Sequence, residues 1–348
     1  MEKKLINQLC NDRILDFDAF KQLLTTEDEE TVRYLAQKAR STADDIYGKD
    51  IYIRGLIEFT NYCANNCFYC GIRRDNKNVQ RYRLSMEQII SCCETGYELG
   101  FRTFVLQGGE DPYFDDKTVC EIVNEIKEKY SDCAVTLSIG EKSKESYKAY
   151  FDAGADRYLL RHETANLCHY KKLHPVEMSF DNRRRCLYDL KEIGFQTGCG
   201  FMVGSPYQTL ENLYEDICFI KEFAPHMVGL GPFISHKDTP FGKHKAGTFD
   251  MTVRLLSIVR LVLPQVLLPA TTALATIHPK GREMGILHGA NVVMPNLSPA
   301  DVREKYSLYD NKVCTGSEAA ESKSQLEKCM ESIGYKIIVS KGDSVKKT

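Results

Sequence analysis

The feature that most constrains this 348-residue chain is a repeated alternation of short β-rich runs with helical runs. Eight runs read as strands: 52–59, 102–108, 134–139, 157–161, 196–203, 227–231, 266–271 and 291–295. Helical spacing fills the intervals at 85–99, 117–130, 145–153, 179–193, 210–223, 251–263 and 282–288. Eight βα-sized units predict an α/β fold, a complete (β/α)8 TIM-type barrel. An open doubly wound sheet is the alternative, although no dinucleotide fingerprint opens the series. Gly100, Gly154, Gly194 and Gly289 fall between a helix and the next strand, where a left-handed glycine ends the helix.

The flanks read differently. Residues 1–47 carry two or three helices with Asp16 or Asp18 as a cap, and form an N-terminal extension. The barrel is assigned to 48–298 and a C-terminal extension to 299–348, with a helix at 318–332. The closing SKGDSVKKT is polar and expected to fray.

Composition narrows the class. A net charge of -2 gives no global case for nucleic-acid binding, and the arginines near Arg73 and at 183–185 join no basic face. No apolar run reaches membrane-spanning length, and the amino terminus lacks a signal-peptide core. The expectation is a cytoplasmic protein. Its fourteen cysteines are then reduced, which favours low oxygen; Cys92, Cys93, Cys120, Cys186 and Cys218 read as small buried hydrophobes.

Three cysteines stand apart. Cys63, Cys67 and Cys70 follow the first strand with Cys-x3-Cys-x2-Cys spacing. Three thiolates on one loop suit an iron-sulfur cluster with one iron open to another ligand. Zinc usually takes a fourth protein ligand, and incidental thiols are the bland alternative. Spacing alone leaves these readings open.

In a barrel the strand C-termini converge on the active face. QGGEDP at 107–112 follows strand two; Thr136 and Glu141 flank the end of strand three; Arg161, His162, Glu163 and Thr164 follow strand four. Ser205 and Pro206, His236, Thr271 with Thr272, and Met294 with Pro295 and Asn296 follow the later strands. Each has an ordinary reading as well. Gly108 and Gly109 offer backbone donors or a tight turn; Arg161 clamps a carboxylate or forms a structural pair; His162 suits a structural hydrogen bond. Paired threonines suit a strand, and Met294 suits a core.

The cluster loop, QGGEDP and RHET together resemble the radical S-adenosylmethionine (SAM) superfamily. With GIRRDNKNVQRYR, LQGGEDP, DRYLLRHET, MVGSP, GPFISHKDTP, PATTA and GANVVMPN, nearly the whole chain looks like the HydE family of [FeFe]-hydrogenase maturases. That resemblance implies a [4Fe-4S] cluster on Cys63, Cys67 and Cys70, with SAM bound to the open iron. It places Tyr69 beside adenine, Glu163 at the cofactor's amino end, Arg183 at its carboxylate and Gln107 at the same site. Thr136, Arg161, Thr271, Thr272, Met294 and Tyr306 would line the substrate cavity, and Arg157 would support it or stand behind it. No catalytic residue is assigned beyond the cluster and SAM site.

The implied activity is reductive cleavage of SAM to methionine and a 5'-deoxyadenosyl radical. Its target would be a cysteine-bound iron carbonyl-cyanide or related thiol-derived precursor of the H-cluster. Implied partners are a low-potential electron donor, an upstream maturase supplying the iron synthon and a downstream [2Fe] scaffold maturase. Some family members carry a second cluster on Cys-x7-Cys-x2-Cys; here that pattern would begin at Cys314 but meets Ser322 and Gln325, with Cys329 displaced, so one cluster is expected. The alternatives are a methylornithine synthase-like radical enzyme and a non-enzymatic iron-sulfur electron-transfer or scaffold protein. A biotin-synthase-like sulfur insertase lacks its auxiliary-cluster pattern here.

Overall fold

The computed structural model describes residues 2–313 and 319–346. Three helices lead the chain: α1 (Glu2–Asp12), α2 (Phe17–Thr25) and α3 (Glu29–Tyr47). Asp16, rather than Asp18, caps α2 by accepting from the Ala19 amide. The barrel chain then runs β1 (Asp50–Ile53), β2 (Gly55–Thr60), α4 (Met86–Glu98), β3 (Thr103–Gly108), α5 (Asp116–Lys129), β4 (Ala134–Ser138) and α6 (Lys144–Asp152). It continues through β5 (Arg157–Leu159), α7 (Leu167–Leu173), α8 (Phe180–Ile193), β6 (Gln196–Cys199), β7 (Met202–Val203), α9 (Leu210–Phe223), β8 (Met227–Val228) and β9 (Gly231–Pro232). Last come α10 (Phe249–Val262), α11 (Thr272–Ile277), α12 (Gly281–Leu287), β10 (Val292–Val293), α13 (Ala300–Arg303), α14 (Ala319–Ser332) and β11 (Lys336–Ile338).

Six strands form one parallel ladder in the order β2-β3-β4-β5-β6-β8. Single parallel bridges carry the circuit onward, from Met227 to Leu267, from Pro269 to Val292 and from Asn296 back to Leu56. Backbone bonds from Val228 to the Leu267 carbonyl, Ala270 to Val292 and Leu56 to Pro295 lie on those seams. The α/β barrel expected from the alternation is the architecture found. Its seventh strand, expected over 266–271, shrinks to bridges at Leu267 and Pro269, because proline brings no N–H to a ladder. The fifth and sixth strands each break at a glycine: a Cβ on Gly200 would lie 1.9 Å from the Gly229 carbonyl oxygen, so only glycine lets these backbones meet.

Phe59, Leu106 and Leu137 pack with Ile89 of α4 and Val119 and Ile122 of α5. Alternation along the strands then turns Glu58, Gln107 and Thr136 inward. The four glycines read as helix stops all adopt positive φ, from 86° at Gly100 to 107° at Gly194. The N-terminal helices lie outside the ring, tied by Arg40 Nη1 to the Ile286 and Ala290 carbonyls and by Arg254 Nη1 to those of Leu24 and Thr26. Among the described residues no helix is long and apolar enough to cross a membrane.

The expectation that 340–348 fray is corrected for the described residues, which run to 346; 347 and 348 lie outside them. β11 adds to β1 in parallel, and the following residues cross the N-terminal mouth of the barrel. The Lys341 carbonyl accepts from Thr103 Oγ1 at 2.7 Å and from Arg157 Nη2 at 2.8 Å. Asp343 pairs with Arg157 at 2.5 Å and accepts from Gln196 at 2.9 Å. Thr103, Arg157 and Gln196 are the first residues of β3, β5 and β6; Arg157 donates to the other two, and all three also bond to the tail. Buried groups of this kind need partners, and a polar tail supplies them.

Candidate active site

The cysteine loop leaves β2 after Thr60 and is pinned from several sides. Ala64 donates to the Glu110 carbonyl at 2.8 Å, Phe68 to Leu173 at 3.0 Å and Gly71 to Leu308 at 2.8 Å. Arg81, from the RRDNKNVQRYR stretch, reaches back to the Ile72 carbonyl at 2.8 Å and that of Arg73 at 2.6 Å. Asp111 of QGGEDP is buried and held by Thr60 Oγ1 at 2.7 Å and by a two-pronged pair with Arg83. Gly109 is a packing position: its N–H points to the Thr60 carbonyl at 3.4 Å, and a Cβ there would lie 2.2 Å from the Tyr62 oxygen. The reading of Gly109 as a donor to a ligand therefore gives way to a close turn behind the cysteines.

Cys63, Cys67 and Cys70 are free and half-buried. Burial raises all three thiol pKa values, Cys70 to about 12, and the charges of neighbouring cysteines push Cys67 and Cys70 further. Such thiols give up protons to a metal rather than to water, so loading is coupled to proton release. Among the described residues no three His, Cys, Asp or Glu side chains converge as one ion requires. By donor chemistry, three soft thiols on one clamped loop are the kind of ligand set an iron-sulfur cluster takes.

Around the loop, Tyr69 OH lies 3.2 Å from His174 Nε2, and His174 Nδ1 lies 3.0 Å from the Tyr170 carbonyl. A carbonyl only accepts, so Nδ1 carries the proton and Tyr69 donates to Nε2. Burial first, then Arg183, lowers the His174 pKa to about 3, which keeps that imidazole neutral. Arg183 donates from Nε to Glu141 at 2.5 Å and from Nη1 to the Arg161 carbonyl at 2.7 Å. Glu163 is buried and has φ 65°, a left-handed conformation that costs a non-glycine residue roughly 1–2 kcal/mol. Its Oε2 lies 3.2 Å from Arg161 Nη2 as an ion pair but makes no hydrogen bond.

Three residues expected at the cofactor or substrate thus carry four buried atoms without a hydrogen bond: Thr136 Oγ1, Arg161 Nε and Nη2, and Glu163 Oε2. Native interiors rarely leave such atoms unpaired, and a polar ligand at this mouth would give them partners. Tyr69 and Cys70 feel the Glu163 charge, and Tyr306 feels those of Cys70 and Cys63, so these groups share one neighbourhood. Gln107 lies at the end of β3, in register with Glu58 and Ser138.

The far side is arranged differently. Thr272 and Met294 border a cavity of about 110 Å³ with Asn296, Arg303 and Lys312. Thr271 does not end a strand: it caps α11, its hydroxyl accepting from the Leu274 amide at 3.4 Å. Arg157 is at the opposite mouth, bound to the tail, and so leaves the active-face group. His162 also faces away, against Phe201 and Phe219. Of the second-cluster positions, Cys314 lies outside the described residues; Ser322, Gln325 and Cys329 border the same cavity. Glu58 and Lys312, which join Tyr306 to this side, carry no local sequence signal. The Lys312 amine reaches the Tyr306 carbonyl at 2.9 Å and Glu58 at 2.5 Å.

Comparison with known proteins agrees with this geometry. Residues 57–220 match the model of the radical SAM superfamily. The HydE subunit of the [FeFe]-hydrogenase maturase from Thermotoga maritima is 46% identical over 85% of this chain and 84% of its own. The 3-methylornithine synthase of Methanosarcina barkeri is 29% identical over 83% of this chain and 82% of its own. A crystal structure of methylornithine synthase superposes with a TM-score of 0.85 at 26% identity, covering 96% of this chain and 97% of that one. A parallel barrel with a clamped three-cysteine loop at its active mouth defines a radical SAM enzyme, whose cofactors are SAM and a [4Fe-4S] cluster. Within that superfamily the chain belongs to the HydE family and is a hydrogenase maturase.

Proposed function

We propose that this enzyme acts on a cysteine-bound iron carbonyl-cyanide or related thiol-derived precursor during assembly of the [FeFe]-hydrogenase H-cluster. The observation that carries the reading is the 46% identity to HydE across most of both chains, against 29% for the methylornithine synthase. When bound, the cluster and SAM supply reductive cleavage to methionine and a 5'-deoxyadenosyl radical.

The chain's own residues bind and orient. Cys63, Cys67 and Cys70 hold the single cluster, and Gly109 keeps the loop's backing close. Tyr69 presents its ring to adenine while His174 fixes its hydroxyl. Glu163 would take the cofactor's amino end and Arg183, steadied by Glu141, its carboxylate, with Gln107 beside them. Thr136, Arg161, Thr271, Thr272, Met294 and Tyr306 line the substrate side, where apolar and cationic groups suit an anionic thiol compound. A low-potential electron donor, an upstream iron-synthon maturase and a downstream [2Fe] scaffold maturase are the proposed partners, in the cytoplasm.

Anaerobic complementation of a hydrogenase maturation system lacking its HydE component tests the reading. Restored hydrogenase activity that depends on Cys67 is expected. Methylornithine formation without complementation would favour the carbon-skeleton reading, and redox cycling without SAM cleavage would favour a scaffold protein.

A further inference from the structure

The strained turn that carries Glu163 is held by a buried clamp that touches no expected ligand. His162 Nδ1 accepts from the Gly200 amide at 3.2 Å, while the Glu163 amide donates to the Gly200 carbonyl at 3.0 Å. Both faces of one peptide residue are therefore gripped by consecutive positions of the turn. Gly200 lies so close to Gly229 that a Cβ there would fall 1.9 Å from the Gly229 carbonyl oxygen. With Nδ1 accepting, a neutral ring has its proton on Nε2, which points to Asp216 Oδ1 at 3.2 Å. The same Asp216 oxygen accepts from the Ala165 amide at 2.5 Å. Asp216, on α9, thus ties the His162 ring and the far end of the turn to one point, with Glu163 between them.

Asp216 is fully buried, has no cationic partner and leaves Oδ2 without a hydrogen bond. A packed apolar residue would suit α9 better on packing alone, because burying a carboxylate is unfavourable unless it is well paired. Burial of His162 between Phe201 and Phe219 is likewise served by any ring of that size. What this pair adds is a fixed backbone on both sides of Glu163, whose carboxylate lies 3.2 Å from Arg161 Nη2.

We propose that Asp216 and His162 are positioning residues that act through Glu163, presetting its carboxylate for the cationic amino group of the cofactor. The inference rests on the reading of Glu163 given above. Preorganisation of this kind raises affinity by removing the need to order the turn on binding.

The test uses cluster-loaded full-length protein under anaerobic conditions, with SAM affinity measured by equilibrium dialysis, iron content by assay and Tm by calorimetry. His162→Phe keeps the ring among its phenylalanine neighbours and removes both bonds. It is expected to lower SAM affinity about ten- to a hundredfold, the range of a lost hydrogen bond to a charged group, with iron content retained. His162→Asn, which returns an acceptor near Nδ1, is expected to recover part of that affinity and serves as the test variant should His162→Phe not fold. The decisive arm is the double variant. If His162 acts through Glu163, His162→Phe adds little to the loss already caused by Glu163→Gln. Undiminished affinity in His162→Phe, or an equal further loss in the Glu163→Gln background, overturns the inference and leaves the clamp as fold support. Full affinity in Glu163→Gln alone instead overturns the reading of Glu163, and the inference with it.

Discussion

Lys312 Nζ lies 2.5 Å from Glu58 Oε1 inside the barrel, while Asn296 Nδ2 holds the second carboxylate oxygen at 2.7 Å. The partners are 254 residues apart in sequence, and their side chains are 9% and 2% exposed. Burial raises the Glu58 pKa against the opposing pull of Lys312. Removing one partner leaves the other charge buried. Glu58→Gln or Lys312→Met alone is therefore expected to cost about 3–5 kcal/mol, and the double variant less than the sum. Denaturant unfolding of the cycle checks this; strictly additive losses would mean the two charges are uncoupled.

Gly109→Ala tests how closely the cysteine loop is backed. The added methyl would sit 2.2 Å from the Tyr62 carbonyl oxygen and 2.6 Å from Cys63 Cβ, so the loop must shift. A stability loss of about 1–3 kcal/mol is expected from overpacking, together with reduced iron per chain after reconstitution. Wild-type loading in this variant would show that the backing is dispensable.

His174 gives a pH dependence with a definite sign. Its folded pKa of about 3 is below the unfolded value near 6.5, so on acidification the unfolded chain takes up a proton that the fold refuses. The stabilisation is present above pH 6.5 and is lost as pH falls toward 3. Relative to His174→Gln, the wild type should lose about 1.4 kcal/mol per pH unit between those limits. Stability curves of both proteins at pH 7 and 5.5 read that slope, and parallel curves would refute a neutral His174.

The tail across the lower mouth is expected to stabilise the barrel. Asp343 is half-exposed, so solvent screens its pairing with the fully buried Arg157, and Asp343→Asn should cost only about 0.5–1.5 kcal/mol. Truncation before Ser340 also removes the Lys341 carbonyl from Thr103 and Arg157 and should lower Tm further. Unchanged Tm in the truncated chain would restore the picture of a frayed end.

The sequence made the alternation, the helix stops and the thiol loop readable because each has a local period or spacing. Its misreadings share a cause. Arg157 and Arg161 alternate onto the same inner face, yet period two says nothing about which mouth a side chain serves. SKGDSVKKT looked solvated because its partners, Thr103 and Arg157, are more than 180 residues away. The Glu58–Lys312 pair is invisible for the same reason. Propensity places Thr271 at a strand end, whereas the helix that follows makes it a cap. His162 reads as a structural hydrogen bonder from sequence and makes such bonds, but its partner on α9 is 54 residues away and is set by the fold.

The central claim is tested most directly by reconstituting the protein anaerobically, reducing it and assaying SAM cleavage in wild type and Cys67→Ala. Wild type is expected to carry about four irons per chain and to form 5'-deoxyadenosine and methionine in equal amounts, with both iron and products lost in the variant. A fully loaded wild type that leaves SAM intact, or a cluster-free variant that still cleaves it, would contradict the assignment.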